Sequence, residues 1–221
     1  METKINESLI RLELLKQTQY NIEKAQEYWH FVRDGEIKQV GNPCSLSDGV
    51  YIIQKNGKVI PFIVESTKFE NAAYVGVVQG SHSVAISLRD VSEDEITLTS
   101  KKDDGKGHYI DSYMDAVQDW QGKKNTEHLQ AVGLNPAIQL KDGEYIPTLA
   151  ELYLICLNRK AINAAMRFVG GQELAGWYWS STEYSATNAW GLYLSYGGTA
   201  NLNTKATYKP RVRPVSAFLH R

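Results

Sequence analysis

The first half of the globular part consists of short apolar runs separated by turn signals, a pattern of apolar and polar positions typical of β-strands. Apolar runs cover residues 50–54 and 59–64, and Asn56-Gly57 lies between them. Because this dipeptide readily adopts the turn that closes a tight hairpin, the two runs are predicted to pair. Runs at 74–78 and 82–88, separated by Gln79-Gly80-Ser81, predict a second hairpin. This half of the domain is therefore expected to be β.

The middle of the chain changes to a helical period. Met114, Val117 and Trp120 share one face of a predicted helix, which continues or restarts at 126–132. Another helix is predicted to begin at Thr148, since Thr148 and Glu151 form a capping-box pattern. Its apolar stripe consists of Leu149, Leu152, Ile155 and Cys156, and this stripe is extended or repeated by Ile162, Ala165, Met166 and Val169. Two glycines at 170–171 are a signal for its end. These helices are expected to form core scaffold.

The last part returns to a β pattern. Trp190, Leu192 and Leu194 alternate with Gly191, Tyr193 and Ser195, which predicts one buried face and one small or polar face. After a turn at 197–198, the side chains of Thr199, Asn201 and Asn203 are expected to project oppositely to those of Ala200 and Leu202. A closing strand is predicted at 212–218. The fold class that follows is α+β.

The first thirty-odd residues have a separate character. Residues 2–32 carry a heptad pattern, with apolar a and d positions at Ile5, Leu12, Leu15, Ile22 and Trp29 and with Gln19 and Gln26 interrupting the a series. Two interpretations stay open: a helix for oligomerisation or tethering, and an amphipathic helix lying on its own domain. Gly41-Asn42-Pro43 predicts a linker. We therefore divide the chain into a helical segment, 1–46, and a ligand-binding domain, 47–221.

Residues 177–208 have an unusual composition. Trp, Tyr, Ser, Thr, Asn and Gly supply twenty-three of these thirty-two residues, and only Glu183 and Lys205 carry charge. This mixture is typical of antibody paratopes, where rigid aromatic area is combined with adaptable hydrogen bonding. The alternative is a tyrosine-rich sheet edge that has no partner.

Bulk properties argue against several classes of partner. With 24 basic and 25 acidic residues the net charge is −1, so nothing indicates nucleic acid, an anionic membrane or an acidic substrate. We see no apolar run of membrane-spanning length and no signal peptide, so cytoplasmic synthesis is expected. The two cysteines, Cys44 and Cys156, form neither a disulfide framework nor a metal-ligand spacing, and both are expected to be reduced.

Catalytic and metal-binding patterns are missing from the sequence. No serine lies in a G-x-S-x-G elbow. The five histidines are scattered without metal-ligand spacing: His30, His82, His108, His128 and His220. Arg211 and Arg213 are expected to share a strand face. Clamping an anion is one role for such a pair, but we expect them to pair with a carboxylate such as Glu183. We therefore predict no catalytic residues, no metal and no cofactor.

A polar segment at 93–107 is predicted to be a surface loop. Asp103-Asp104-Gly105 lacks the later acidic residues of a calcium loop. Gly105-Lys106-Gly107 has no preceding strand and no further glycine at the spacing of a phosphate loop. We therefore expect neither calcium nor a phosphate group to bind in this segment.

Several sequence blocks resemble a bacterial and phage family. They are IPTLAEL at 146–152, YWSSTEY at 178–184, Ala189-Trp190, Lys205 and RVRPV at 211–215. The resemblance covers about 48–218. It is to the C-type-lectin-like domains found at the end of collagen-like bacterial adhesins and among variable proteins diversified by retroelements. It implies a C-type-lectin-like fold, related to the phage major tropism determinant and the formylglycine-generating enzyme.

The resemblance also implies a binding face. In diversified members, adenine-directed mutagenesis alters positions that lie between the framework sequence blocks. The side chains at these altered positions contact the ligand. Trp179, Ser180, Trp190, Arg211 and Arg213 would be framework. The ligand-binding positions carried over are Tyr184, Asn188, Gly191, Tyr193, Ser195, Tyr196, Thr199, Asn201, Asn203, Thr204, Thr207 and Tyr208.

The chain also departs from related proteins. The calcium-dependent sugar motifs of animal C-type lectins are absent, and so are the paired cysteines of the formylglycine-generating enzyme. We interpret the chain as a non-enzymatic protein that binds a protein or glycan ligand, carried by a phage particle and assembled as a homo-oligomer through its N-terminal helix. The alternatives are an enzyme or redox protein using Cys156, and a structural particle component.

Overall fold

A six-stranded antiparallel sheet and a three-stranded antiparallel sheet make up the β structure of the described residues. The structure is a computed structural model that describes residues 46–63, 71–100, 107–195 and 198–218. The predicted N-terminal helix, Cys44, Tyr196 and the loop at 103–105 lie outside these ranges. The division into a helical segment and a domain accordingly stays a prediction.

The large sheet grows from the two predicted hairpins. Its strands are β1 (Gly49–Gln54), β2 (Val59–Pro61), β3 (Ala72–Gln79), β4 (His82–Ser87), β5 (Glu144–Tyr145) and β9 (Val215–Ser216), in the spatial order β2-β1-β3-β4-β9-β5. Gly57 has a φ of 83° in the first turn, a conformation that favours glycine. The predicted hairpins are confirmed, and α+β is confirmed as the fold class.

Four helices lie between the strands of the two sheets in the described sequence: α1 (Tyr113–Ala116), α2 (Gly122–Val132), α3 (Leu149–Leu157) and α4 (Arg159–Phe168). The predicted capping box is present, because Thr148 Oγ1 accepts from Glu151 N and Glu151 Oε2 accepts from Thr148 N. Gly170, with a φ of 71°, follows the C-cap of α4. These boundaries follow from local chemistry.

The small sheet consists of β6 (Trp177–Glu183), β7 (Asn188–Tyr193) and β8 (Thr199–Thr204), in that order. One of its faces joins the main core, where Trp190 and Leu192 pack with Val77, Ile86 and Leu152. A second core cluster forms around Trp179 and includes Leu98, Leu129, Ile146 and Val212. Both faces of this sheet are thus packed over part of their area.

Three structural predictions were wrong. Met114 and Trp120 are 63% and 38% exposed, because α1 lasts for only one turn and does not bury a continuous stripe. The segment after Glu93 is not wholly at the surface, since Leu98 is fully buried in the second cluster. The closing strand is limited to Val215–Ser216.

Candidate ligand-binding face

The strand register of the small sheet decides which side chains share a face. Tyr193 pairs with Trp177 on one side and with Thr199 on the other. Gly191 pairs with Trp179 and Asn201, and Ala189 pairs with Asn203. Because directly paired residues project to the same side of a sheet, these residues form one face, which we call the Tyr193 face. Trp190 and Leu192 project to the opposite side, the Trp190 face.

The Tyr193 face is open at one end and covered at the other. At the open end the rings of Trp177 and Tyr193 lie 5.3 Å apart, centroid to centroid, at 48°. Thr199 and Asn201 beside them are exposed. At the other end Trp179 and Ala189 are buried in the second core cluster. The open end therefore offers aromatic area next to a hydroxyl and an amide.

Gly191 lies in the middle of this face and leaves no room for a side chain. A Cβ there would lie 2.8 Å from Asn203 Nδ2 and 3.1 Å from the carbonyl oxygen of Tyr178. Asn203 is itself only 5% exposed, and its Nδ2 has no hydrogen-bond partner among the described residues. Asn203 was expected to project outward, but the side chain is buried over the glycine.

Other predicted site residues reach the same face from the loops. Tyr208 is 42% exposed and packs edge-on against the Trp179 ring, with centroids 6.3 Å apart. Thr207 next to it is exposed. Ser195 is half-buried, and its Oγ accepts a hydrogen bond from Gly176 N at 2.8 Å. Ser195 therefore supports the end of the sheet.

Three predicted site residues are placed elsewhere. Asn188 and Thr204 pair with each other and project to the Trp190 face. Tyr184 packs edge-on against Trp190, with centroids 5.8 Å apart. The structure consequently divides the predicted positions between two faces, and Gly191, Tyr193, Thr199, Asn201 and Tyr208 remain together.

Trp177 was missing from the predicted positions. It is half-buried and is the direct cross-strand partner of Tyr193. Its signal was available in the sequence, because pairing the alternating run at 190–194 with the preceding aromatic run places a ring opposite Tyr193.

The side chain of Asn201 makes a hydrogen bond along its own strand, β8, which is the outer strand of the small sheet. Its Oδ1 accepts a hydrogen bond from Leu202 N at 2.8 Å. An unpaired N–H on an outer strand invites pairing with another chain, and a local side chain that satisfies the donor reduces this tendency. The amide nitrogen of Asn201 is the group left to contact a ligand.

Two buried ion pairs connect distant segments of the domain, and the second joins the end of β6 to the residue that follows β8. Arg213 Nε donates to Asp90 Oδ1 at 2.6 Å, and Arg213 Nη1 donates to the carbonyls of Ser87 and Gln172. Lys205 Nζ donates to Glu183 Oε1. Arg213 thus pairs with a carboxylate as expected, but the carboxylate is Asp90 and not Glu183. For Arg211 the expectation was wrong, since its Nη1 donates to the Ala175 carbonyl.

Cys156 lies beside the small sheet. A Cβ on Gly198 would lie 3.1 Å from its Sγ. Burial raises the pKa of this thiol, and nearby Arg159 only partly offsets the effect. Because the thiolate is the reactive form, this environment does not favour thiol chemistry.

Metal-ligating clusters and membrane-spanning helices are absent from the described ranges. There, no three His, Cys, Asp or Glu side chains are grouped so that they could hold a metal ion. The helices described are all too short or too polar to cross a membrane.

Comparison with known proteins gives a structural neighbour but no family. No protein-family model and no curated protein matches the chain. A fimbrial protein of Bacteroides ovatus, known from a crystal structure, matches with a TM-score of 0.55 and 17% identity. The match covers 77% of this chain and 48% of the fimbrial protein, so this chain spans about half the length of its neighbour. At this identity the match shows a shared fold.

Proposed function

We propose that this chain is a non-enzymatic, adhesion-type protein that binds a protein or glycan on the open end of its Tyr193 face. The observation that carries the proposal is the Trp177–Tyr193 ring pair with Thr199 and Asn201 directly beside it. Aromatic rings supply contact area at low entropic cost, and hydroxyl and amide groups supply adaptable hydrogen bonds. No charged side chain belongs to this group, which suits an uncharged ligand surface.

The fimbrial neighbour supports the adhesion-type role by analogy of fold. Because folds host many functions, the analogy adds weight only together with the face itself. An N-terminal helix at 2–32 would assemble several copies on one particle. Several weak sites on one particle then increase the overall affinity without any new contact.

We further propose that the domain is C-type-lectin-like and belongs to a retroelement-diversified set carried by a phage or prophage. The support is the sequence resemblance at 146–152, 178–184 and 211–215. On this hypothesis Tyr193, Thr199 and Asn201 vary between copies. Gly191 stays constant, because a side chain there meets Asn203 and the Tyr178 carbonyl. Genome sequencing tests this: a reverse transcriptase and a near-copy of codons 177–215 with adenine-specific differences are expected, and their absence contradicts it.

Binding itself is tested with the full chain immobilised on beads. The beads are presented with intact cells and with a panel of neutral oligosaccharides, with and without an excess of soluble protein as competitor. Saturable binding that the competitor removes supports a ligand-binding protein. Binding that is neither saturable nor competed contradicts it and favours a purely structural component.

A further inference from the structure

The buried pair formed by Glu183 and Lys205 links two strands that are not neighbours. Glu183 is the last residue of β6, and Lys205 directly follows β8, so the pair reaches across β7. Their side chains are 3% and 1% exposed, and Lys205 Nζ contacts Glu183 Oε1. A primary amine and a carboxyl group are thus held together where bulk water does not reach.

The surroundings of this pair supply a proton carrier and little free space. His128 Nε2 lies 3.4 Å from Glu183 Oε2, the oxygen that does not face the lysine. A Cβ on Gly107 would lie 2.8 Å from His128 Nε2 and 3.1 Å from Glu183 Oε2. The Tyr109 ring centroid is 6.0 Å from Lys205 Nζ. The reacting groups are therefore fixed by packing on several sides.

We propose that Lys205 and Glu183 condense to an intramolecular isopeptide bond. Transfer of one proton from the ammonium to the carboxylate gives the neutral amine and acid that react. The Nζ lone pair attacks Cδ of Glu183, and His128 moves the nitrogen proton to the departing hydroxyl. The C–N bond forms, one C–O bond breaks and one water molecule leaves, so atoms and charge balance without an oxidant or a further reactant. The carboxyl group needs no chemical activation in this proposal, because the fold holds it against the amine. Well-oriented intramolecular groups react at effective concentrations far above any in solution.

The bond would act as a covalent staple under the Tyr193 face. It would close the segment 183–205, which contains all of β7 and β8 and the residues Tyr193, Thr199 and Asn201 at the open end of the face. Such a link holds both strands in register even when force pulls on a bound ligand. This inference does not depend on which ligand the face binds.

Two other ion pairs of the chain serve as internal controls. Arg213 and Asp90 are just as buried, at 1% and 2% exposure, but a guanidinium keeps its proton and does not form the amide. Lys141 and Glu144 include an amine, but Lys141 is 76% exposed and its Nζ lies 3.8 Å from the carboxylate. Only Lys205 combines an amine, contact and burial among the ion pairs described.

The experiment is mass spectrometry of the purified full chain. The intact mass is expected to be lower than the sequence mass by one water molecule, and the Lys205→Arg variant is expected to have its full mass. Trypsin should fail to cut after Lys205 and does not cut the Lys209–Pro210 bond, giving a peptide 168–211 that lacks one water and yields no fragment ions from breaks between 183 and 205. Peptides containing Asp90, Lys141 and Arg213 should have unchanged masses.

Two results would contradict the proposal or the role given to His128. A full intact mass for the wild-type chain, with the ordinary peptide 168–205, overturns the proposal and leaves an ion pair. A His128→Asn variant, sampled at intervals after synthesis, should form the link at least ten times more slowly than freshly synthesised wild-type chain. Formation at the wild-type rate would remove His128 from the mechanism.

Discussion

Asn203 lies across the backbone of Gly191, with its Nδ2 2.8 Å from the position that a glycine Cβ would take. Gly191→Ala should therefore lower the free energy of unfolding by about 1–3 kcal/mol, since added volume in a packed site forces neighbours to move. Urea denaturation of the variant measures this. Adding Asn203→Ala should recover part of the loss, because the two substitutions share one contact. A double variant no more stable than Gly191→Ala alone would show that the Tyr178 carbonyl causes the strain.

Glu151 makes stability depend on pH around neutrality. Burial raises its pKa to about 7, although hydrogen bonds from Tyr145 and Thr148 partly oppose this. The folded pKa is above the ordinary glutamate value of 4.5, so the folded chain holds a proton that the unfolded chain releases. Stability from this group is present below about pH 4.5 and is lost as pH rises through 7.

The Glu151→Gln variant isolates this contribution. Gln keeps the capping geometry but does not titrate, so its unfolding free energy should stay flatter between pH 5 and pH 8. The wild-type chain should lose up to about 3 kcal/mol relative to the variant over this interval. Urea titrations at several pH values provide the measurement, and parallel pH profiles would count against the assignment.

The Arg213–Asp90 pair should matter much more than a surface pair. Asp90→Ala leaves a buried guanidinium without its carboxylate and should cost about 3–5 kcal/mol. The matched control is Glu173→Ala, which removes the exposed partner of Arg167 and should cost less than about 1 kcal/mol. Equal losses for the two variants in chemical denaturation would contradict the role given to burial.

Cys156 should be a slow nucleophile in the native chain. Burial raises its pKa, so less thiolate is present at neutral pH than for an exposed thiol. Alkylation by iodoacetamide, followed at the Cys156 peptide, should be at least tenfold slower in the native chain than in the same chain in urea. Equal rates would revive the redox interpretation.

Features set by short-range chemistry were predictable from the sequence. The Asn56-Gly57 turn, the Thr148–Glu151 capping box and the glycine after α4 each depend on a few neighbouring residues. The alternation at 190–194 was also sufficient to predict that Trp190, Leu192 and Leu194 are buried.

Features set by distant parts of the chain were not predictable from periodicity. Arg213 pairs with Asp90, which is 123 positions away, so no local pattern names its partner. Asn203 continues the polar alternation of β8 but lies at the covered end of the face, next to buried Ala189. Trp120 stacks on His82 outside the core, with ring centroids 3.7 Å apart. The sequence therefore predicted the strands of the face better than the boundary between its open and covered ends.

The most direct test of the account compares Tyr193→Ala with Thr204→Ala in equilibrium binding to a ligand found by the bead assay. Tyr193 is half-buried at the open end of its face, whereas Thr204 is exposed and lies on the Trp190 face of the same sheet. Both variants should unfold at nearly the wild-type denaturant concentration. Tyr193→Ala should raise the dissociation constant at least tenfold, about 1.4 kcal/mol, and Thr204→Ala should leave it within twofold. Unchanged binding by Tyr193→Ala, or an equal loss in both variants, would contradict the Tyr193 face as the binding site.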